Sequence, residues 1–399
     1  MRTRFGRVAL VAMLTFGVTS GLATAGTLSS ASSTWVGTWE AAPASGVDNT
    51  PGGYTNYSIR NVVHTTVGGS QTRIRLSNRW GAAPVTFGHV TVGVQARVGT
   101  ADAASLVNVT FHGKTSTTVA AGADIVSDAV PLRVPSNSNL LVTTYVPTPS
   151  GPVTYHPLAM QTSFFTPNGD HSGDAWGTAY TQTTNVWHYV TGIDVLSPNA
   201  KGTVVAFGDS ITDGYGSTPD ANHRWPNYLS ERIGQRYGVI DAGISGNRLL
   251  LDGGPAGEAA VKRLDEDVLS RTDVHSMIVL LGVNDIQQSP HQLDPTKIEG
   301  ALQDIAQRAH ARGIRTIAST ILPFKGFDTW TPQLETVRQA VNQWIRTSGV
   351  YDTVVDFDQV VRDPSDPERM LPVYDCGDHL HPGDAGYQAM AYAVDPNSL

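Results

Sequence analysis

Thr203-Val204-Val205-Ala206-Phe207-Gly208-Asp209-Ser210-Ile211-Thr212-Asp213-Gly214 is the stretch on which the fold reading turns. Its first five residues read as a β-strand, and a glycine-backed turn follows them at once. Working outward, similar apolar runs recur at Val239–Ala242, Met277–Leu281, Thr316–Ile321 and Thr353–Phe357. Amphipathic helices separate them. Asp294-Pro295 has the pattern of an N-cap followed by proline at the first helical position. Ile298, Leu302, Ile305 and Ala309 then fall on one helical face. Thr331-Pro332 repeats the device, with Leu334, Val337, Val341 and Ile345 as the stripe and Gly349 as the stop. Alternating strands and helices of this length predict a parallel sheet covered by helices on both faces.

In such sheets the functional groups gather at the C-terminal ends of the strands. The first strand is followed by Gly208-Asp209-Ser210 and the second by Gly243-Ile244-Ser245-Gly246-Asn247-Arg248. The third is followed by Gly282-Val283-Asn284-Asp285, and Asp375-Cys376-Gly377-Asp378-His379-Leu380-His381-Pro382 stands near the C-terminus. A serine, glycine-backed turns, a carboxamide and an Asp-x-x-His pair thus share one edge. In content and chain order these blocks resemble the GDSL-type, or SGNH, serine esterases over residues 202–394. The resemblance implies Ser210 as nucleophile, His381 as base and Asp378 as its partner. It implies an oxyanion hole from Ser210, Gly246 and Asn284, in a flavodoxin-like three-layer α/β domain.

The chemistry of these residue types agrees. A serine hydroxyl is a poor nucleophile until a neighbouring base takes its proton. A neutral imidazole can do so near pH 7, and a carboxylate three residues away can fix its tautomer. Asp209, Asn247, Arg248 and Asp285 are candidates for supporting the loops or touching substrate, and Tyr215 for touching substrate or standing as a solvated loop residue. Ser210 read alone could merely cap a helix, and Asn284 and Asp285 could be plain loop formers. Asp375, Cys376, Asp378, His379 and His381 can also be read as a metal cluster. No second ligand group or His-Glu-x-x-His accompanies them, so neither metal nor organic cofactor is expected. Cys376, the single cysteine, reads as a small buried residue.

The N-terminal half has another character. Residues 34–200 carry 15 charged groups, against 44 in residues 201–399, and Leu196-Ser197-Pro198-Asn199-Ala200-Lys201-Gly202 reads as a linker between them. Ile59–Val67 and Thr72–Ser77 are rich in β-branched residues and flank Gly68-Gly69, which predicts a hairpin. Further β runs fall at Val85–Val94, Leu106–His112, Leu140–Val146 and Val186–Val195. Residues 34–197 are therefore expected to form an all-β sandwich of jelly-roll type, an accessory or substrate-binding domain. Trp35, Trp39, Trp80, Trp176 and Trp187 pack in its core or offer a sugar-stacking platform.

Arg2, Arg4 and Arg7, a largely apolar run from Val8 to Val18, and Ala23-Thr24-Ala25 have the order of a signal peptide cleaved near Ala25. The run is too short to cross a bilayer, which takes about 20 residues. The net charge of −8 argues against nucleic acid as a partner, and one cysteine excludes an internal disulfide. The expectation is a secreted carboxylic-ester hydrolase working through an acyl-enzyme on a small-molecule or polysaccharide ester, short acyl groups such as O-acetyl foremost. A lipid-ester hydrolase and a non-catalytic carbohydrate-binding protein are the alternatives. The oligomeric state is left open.

Overall fold

Strand β1 (Thr203–Gly208) is buried at every position, as a run of apolar residues covered on both faces requires. This computed structural model describes Met1, residues 33–46 and residues 53–399. Numbered within the second half, β1 pairs in parallel with β2 (Gly238–Gly243) and β3 (Val274–Leu280), and β4 (Arg315–Ser319) and β5 (Thr353–Val355) follow. The sheet order is β2-β1-β3-β4-β5, the flavodoxin-like order. The strand order reverses between β1 and β3, and the crevice at their C-terminal ends is where such folds bind ligands. The long helices Pro295–His310 and Pro332–Thr347 bury the expected stripes. Asp294 accepts from the Thr296 N–H and Thr331 from the Leu334 N–H, as their capping positions predict.

The first half is almost entirely antiparallel β-structure. Thr34–Glu40, Val190–Ser197, Thr72–Ser77 and Asp124–Val126 form a four-stranded sheet in that order. Gln182–Thr184, Ser163–Thr166, Tyr57–Thr65, Ser138–Val146, His89–Val94 and Val107–Asn108 form a six-stranded one. Val36, Ile74 and Ile193 of the first and Ile59, Leu140 and Val92 of the second meet in one hydrophobic cluster, so the sheets are the two layers of a sandwich. Ile74 and Leu76 point inward and Arg73 and Arg75 outward, as their alternation predicts.

The expected hairpin at Gly68-Gly69 does not form. Tyr57–Thr65 and Thr72–Ser77 lie in opposite sheets. A two-residue hairpin needs positive φ in its turn, and neither Gly68 nor Gly69 has it. They serve close approach instead: a Cβ on Gly69 would lie 2.8 Å from the Leu196 carbonyl oxygen.

The halves have largely separate hydrophobic clusters, yet Ser33–Leu399 forms a single compact unit. Polar contacts join them. The sandwich strand Thr34–Glu40 lies against the edge strand β2, where a Cβ on Gly238 would meet the Gly37 carbonyl. Thr66 Oγ1 donates to the Val239 carbonyl (2.9 Å) and accepts from the Val239 N–H (3.0 Å). Glu40 pairs with Arg271 at 2.5 Å, Arg79 with Glu258 at 2.7 Å, and Arg224 donates to the Ala159 carbonyl. Covering β2 in this way removes an open sheet edge. The segment carrying Arg2 to Ala25 lies outside the described residues. Among the described residues, no helix is long and apolar enough to cross a membrane.

Candidate active site

The turn after β1 is built by local chemistry. Asp209 caps the short helix Ser210–Asp213 by accepting from the Ile211 N–H (3.0 Å), and Gly214, at φ 94°, ends it. Ser210 therefore stands at the first helical position, directly beyond the buried strand, and is itself 6% exposed. The end of β2 packs under this turn so tightly that a Cβ on Gly243 would lie 2.4 Å from the Asp213 nitrogen.

The partner comes from far along the chain. Ser210 Oγ lies 2.8 Å from His381 Nε2, and His381 Nδ1 lies 2.6 Å from Asp378 Oδ2. Asp378 Oδ1 also accepts from the backbone N–H groups of Leu380 (2.9 Å) and His381 (2.8 Å). Partial burial pushes the Asp378 carboxyl up, but these donors, the His381 ring first among them, outweigh it and hold it well below the usual carboxylate range. The Tyr215 ring, 45% exposed, lies 4.3 Å from the His381 ring between centroids and forms an open wall beside it. His379 faces elsewhere, with its Nδ1 2.7 Å from Asp375 Oδ2.

Gly246 and Asn284 stand on the neighbouring turns. Gly246 has φ 79°, the left-handed region that favours glycine. Asn284 is buried, and its Oδ1 accepts from the side-chain amides of Gln287 (2.9 Å) and Gln288 (3.0 Å). These bonds orient the carboxamide, so that Nδ2 donates one hydrogen to the Asn247 carbonyl (3.0 Å) and keeps its second.

The remaining candidates are loop supports. Asn247 is fully buried, donates to the Ala256 (2.7 Å) and Glu258 (2.8 Å) carbonyls and accepts from Arg263 Nε (2.9 Å). Arg248 is buried and donates to the Pro290 carbonyl at 2.6 Å. Asp285 accepts from the Leu249 (2.7 Å) and Leu250 (3.0 Å) N–H groups, and burial raises its pKa. Burial likewise lifts Asp209 to about 7, against the pull of the Ile211 N–H and Arg263.

One expectation changes. Cys376 is exposed rather than buried, because the turn closed by the Asp375–Pro382 bridge turns it outward. Partial burial, with Asp378 and Asp375 close by, pushes its thiol up to about 11, which makes it a poor nucleophile. The five sandwich tryptophans form no common platform. Trp39 and Trp187 are buried edge to face at 5.0 Å, Arg73 covers Trp35 and Arg79 approaches Trp80, and only Trp176 of the five is largely exposed, at 74%. Asp375, Cys376 and Asp378 bring ligand atoms within 4.8 Å of one another. Their carboxylate oxygens already accept from Gly377, His379, Leu380 and His381.

In comparison with known proteins, residues 206–389 match the GDSL-like lipase/acylhydrolase family. This stretch is a GDSL-like lipase/acylhydrolase domain. As a GDSL-like domain it is a carboxylic-ester hydrolase by class. Among solved structures it is similar to a GDSL-like lipase from Bacteroides thetaiotaomicron, at 21% identity over 48% of this chain and 84% of the other, with a TM-score of 0.37. It is also similar to a member of the lipolytic G-D-S-L family from Veillonella parvula, at 19% identity over 48% and 94%, with a TM-score of 0.37. A carbohydrate acetylesterase from Sinorhizobium meliloti aligns at 17% identity over 48% and 95%, with a TM-score of 0.36. No curated protein matches the sequence.

Sequence reasoning passed over three contributors to this GDSL-like site. Gln287 and Gln288 lie one helical turn beyond Asn284, a spacing that could have marked them as its partners. Asp213 was in plain view at the end of the Ser210 helix, but nothing local signals the contacts it makes across the molecule.

Proposed function

We propose that the GDSL-like domain hydrolyses esters through an acyl-enzyme on Ser210, with His381 as general base and Asp378 fixing its tautomer. The observation that carries this reading is the unbroken chain Ser210 Oγ–His381 Nε2–Asp378, with links of 2.8 and 2.6 Å. With Nδ1–H donated to the carboxylate, Nε2 presents its lone pair to the hydroxyl. As Ser210 attacks the acyl carbon, the proton passes to Nε2, and the imidazolium then protonates the departing alcohol. Water, activated by the same nitrogen, releases the acid. The N–H groups of Ser210 and Gly246 and the second Nδ2 hydrogen of Asn284 meet the oxyanion, a side-chain donor of this kind being worth about 3–4 kcal/mol.

The substrate we propose is a short acyl ester, O-acetyl groups of polysaccharide included, met outside the cell after signal cleavage near Ala25. The Tyr215 ring beside His381, with the linked carboxamides of Asn284, Gln287 and Gln288 on the neighbouring turn, favours a small polar ester over a long alkyl chain. A fluorophosphonate probe should label the folded protein at Ser210. Turnover of p-nitrophenyl esters should fall as the acyl chain lengthens. Failure to label would return the protein to the binding-module alternative, and rates rising with chain length would point to lipid esters.

A further inference from the structure

His156 belongs to the sandwich strand Thr154–His156, yet its buried ring reaches the second half of the chain. Nδ1 lies 2.8 Å from the Ala42 carbonyl oxygen; Nε2 lies 2.9 Å from Asp213 Oδ1 and 3.2 Å from the Leu158 carbonyl oxygen. All three partners accept hydrogen bonds, so each nitrogen carries a proton and the ring is an imidazolium paired with Asp213. Burial alone would lower the ring's pKa, but the Asp213 carboxylate outweighs it and holds it above the ordinary histidine value. The same cavity wall presents Asp241, Arg224, Glu40 and His64, while the Trp187 ring lies 5.4 Å from the imidazole.

Asp213 divides its oxygens. Oδ1 faces His156, whereas Oδ2 accepts from both the N–H (2.9 Å) and the hydroxyl (2.8 Å) of Ser245. Asp213 closes the helical turn that Ser210 opens, and Ser245 immediately precedes Gly246. One carboxylate thus ties the sandwich to the nucleophile turn and to the oxyanion turn. We propose that His156 is a positioning residue for ester hydrolysis, holding through Asp213 the Ser210 turn and the Ser245–Gly246 turn in the spacing that attack requires. The proposal rests on the roles assigned above to Ser210 and Gly246. It makes the N-terminal half a working part of the catalytic centre. A deprotonated or absent ring leaves the buried Asp213 charge without its counter-ion, and Oδ2 is then free to pull the two turns out of register.

The test uses the full chain with His156→Ala and His156→Gln, and Thr162→Val as control. Thr162 also bonds across the halves, to Asp220 at 2.8 Å, but touches neither turn. On p-nitrophenyl acetate, His156→Ala should lower kcat about 10- to 100-fold with KM little changed, the scale of a misplacement of about 1 Å. Fluorophosphonate labelling of Ser210 should slow in proportion. His156→Gln, which keeps one donor toward Asp213, should recover part of the loss. It should also lack the fall in activity expected of the native protein on the alkaline side as His156 gives up its proton. Thr162→Val should keep native kcat. If His156→Ala does not fold, as judged by near-UV circular dichroism, His156→Gln and Ser245→Ala carry the test, and both should lower kcat. Native kcat, labelling rate and pH profile in the folded variants would overturn the proposal. Absence of labelling in the native protein would instead overturn the assignment of Ser210, so the two failures are distinguishable.

Discussion

In the proposed mechanism Ser210, His381 and Asp378 have different roles, so their substitutions should not damage the reaction equally. Ser210→Ala and His381→Ala should each cost of order 10⁶ in kcat, on the precedent of serine proteases. Asp378→Asn keeps the geometry and the oxyanion donors but loses tautomer control, and should cost of order 10⁴. Asn284→Ala deletes one side-chain donor and should cost about 10²–10³. Steady-state kinetics on one small ester checks the order, and substantial turnover by Ser210→Ala would refute the scheme. The acid side of the pH profile follows from the same contacts. Protonated His381 cannot take the Ser210 proton, so kcat/KM must rise with pH. Asp378, held far below the usual carboxylate range, stays ionised through that rise. The limb should therefore report about one proton, and a slope near two would assign it to another group.

At the scale of elements, the site depends on how closely β2 packs beneath the nucleophile turn. Gly243→Ala would place a methyl group 2.4 Å from the Asp213 nitrogen and 3.0 Å from the Asp209 carbonyl oxygen, both backbone atoms. Something must shift, at about 1–3 kcal/mol, and the shift falls on the turn that holds Ser210. Both Tm and kcat should drop. Asp294→Ala is the contrast. It removes an exposed cap of the helix Pro295–His310 and should cost about 1 kcal/mol in stability while leaving kcat unchanged. Thermal melts paired with initial rates separate the two outcomes. The capping pairs were legible in the sequence because a cap is a contact between residues two or three apart. The hairpin at Gly68-Gly69 was misread because the same glycines can serve a turn or a close crossing, and a crossing involves distant chain.

For the molecule as a whole, the polar interface between the halves controls stability. Residues 202–399 made alone would lose Glu40 beside Arg271, His156 beside Asp213 and the cover on β2. These contacts close a polar surface that the fragment would expose, and an uncovered edge strand is a template for association. That fragment should therefore be insoluble or lack cooperative unfolding, whereas residues 33–399 should unfold in one transition; an active, cooperatively melting fragment would contradict this. Buried carboxyls give the interface a pH signature. Burial raises Glu40 to about 8 and Asp241 to about 7, each partly offset by a nearby arginine, and Asp209 lies at about 7. Each binds a proton in the folded chain that it loses on unfolding above about pH 4. Their contribution is thus fully present below that pH and is lost as pH climbs through 7 to 8. Urea midpoints should fall across this window, and Glu40→Gln should flatten the fall.

The parallel sheet, its helix caps and the blocks bearing Ser210, Gly246, Asn284, Asp378 and His381 could be read from the chain alone. Strand and helix periods, caps and glycine turns are local consequences of residue type, and catalytic chemistry confines the choice of residue at each point. The pairing of Tyr57–Thr65 and Thr72–Ser77 with different sheets, the outward face of Cys376 and the reach of His156 to Asp213 came only with the tertiary structure. Each depends on which distant backbone comes to lie alongside, and on burial that raises or lowers a charge once water has gone. His156 and Asp213 are 57 residues apart. No short-range preference of either residue encodes their meeting; the packing of the sandwich against the edge of the sheet does.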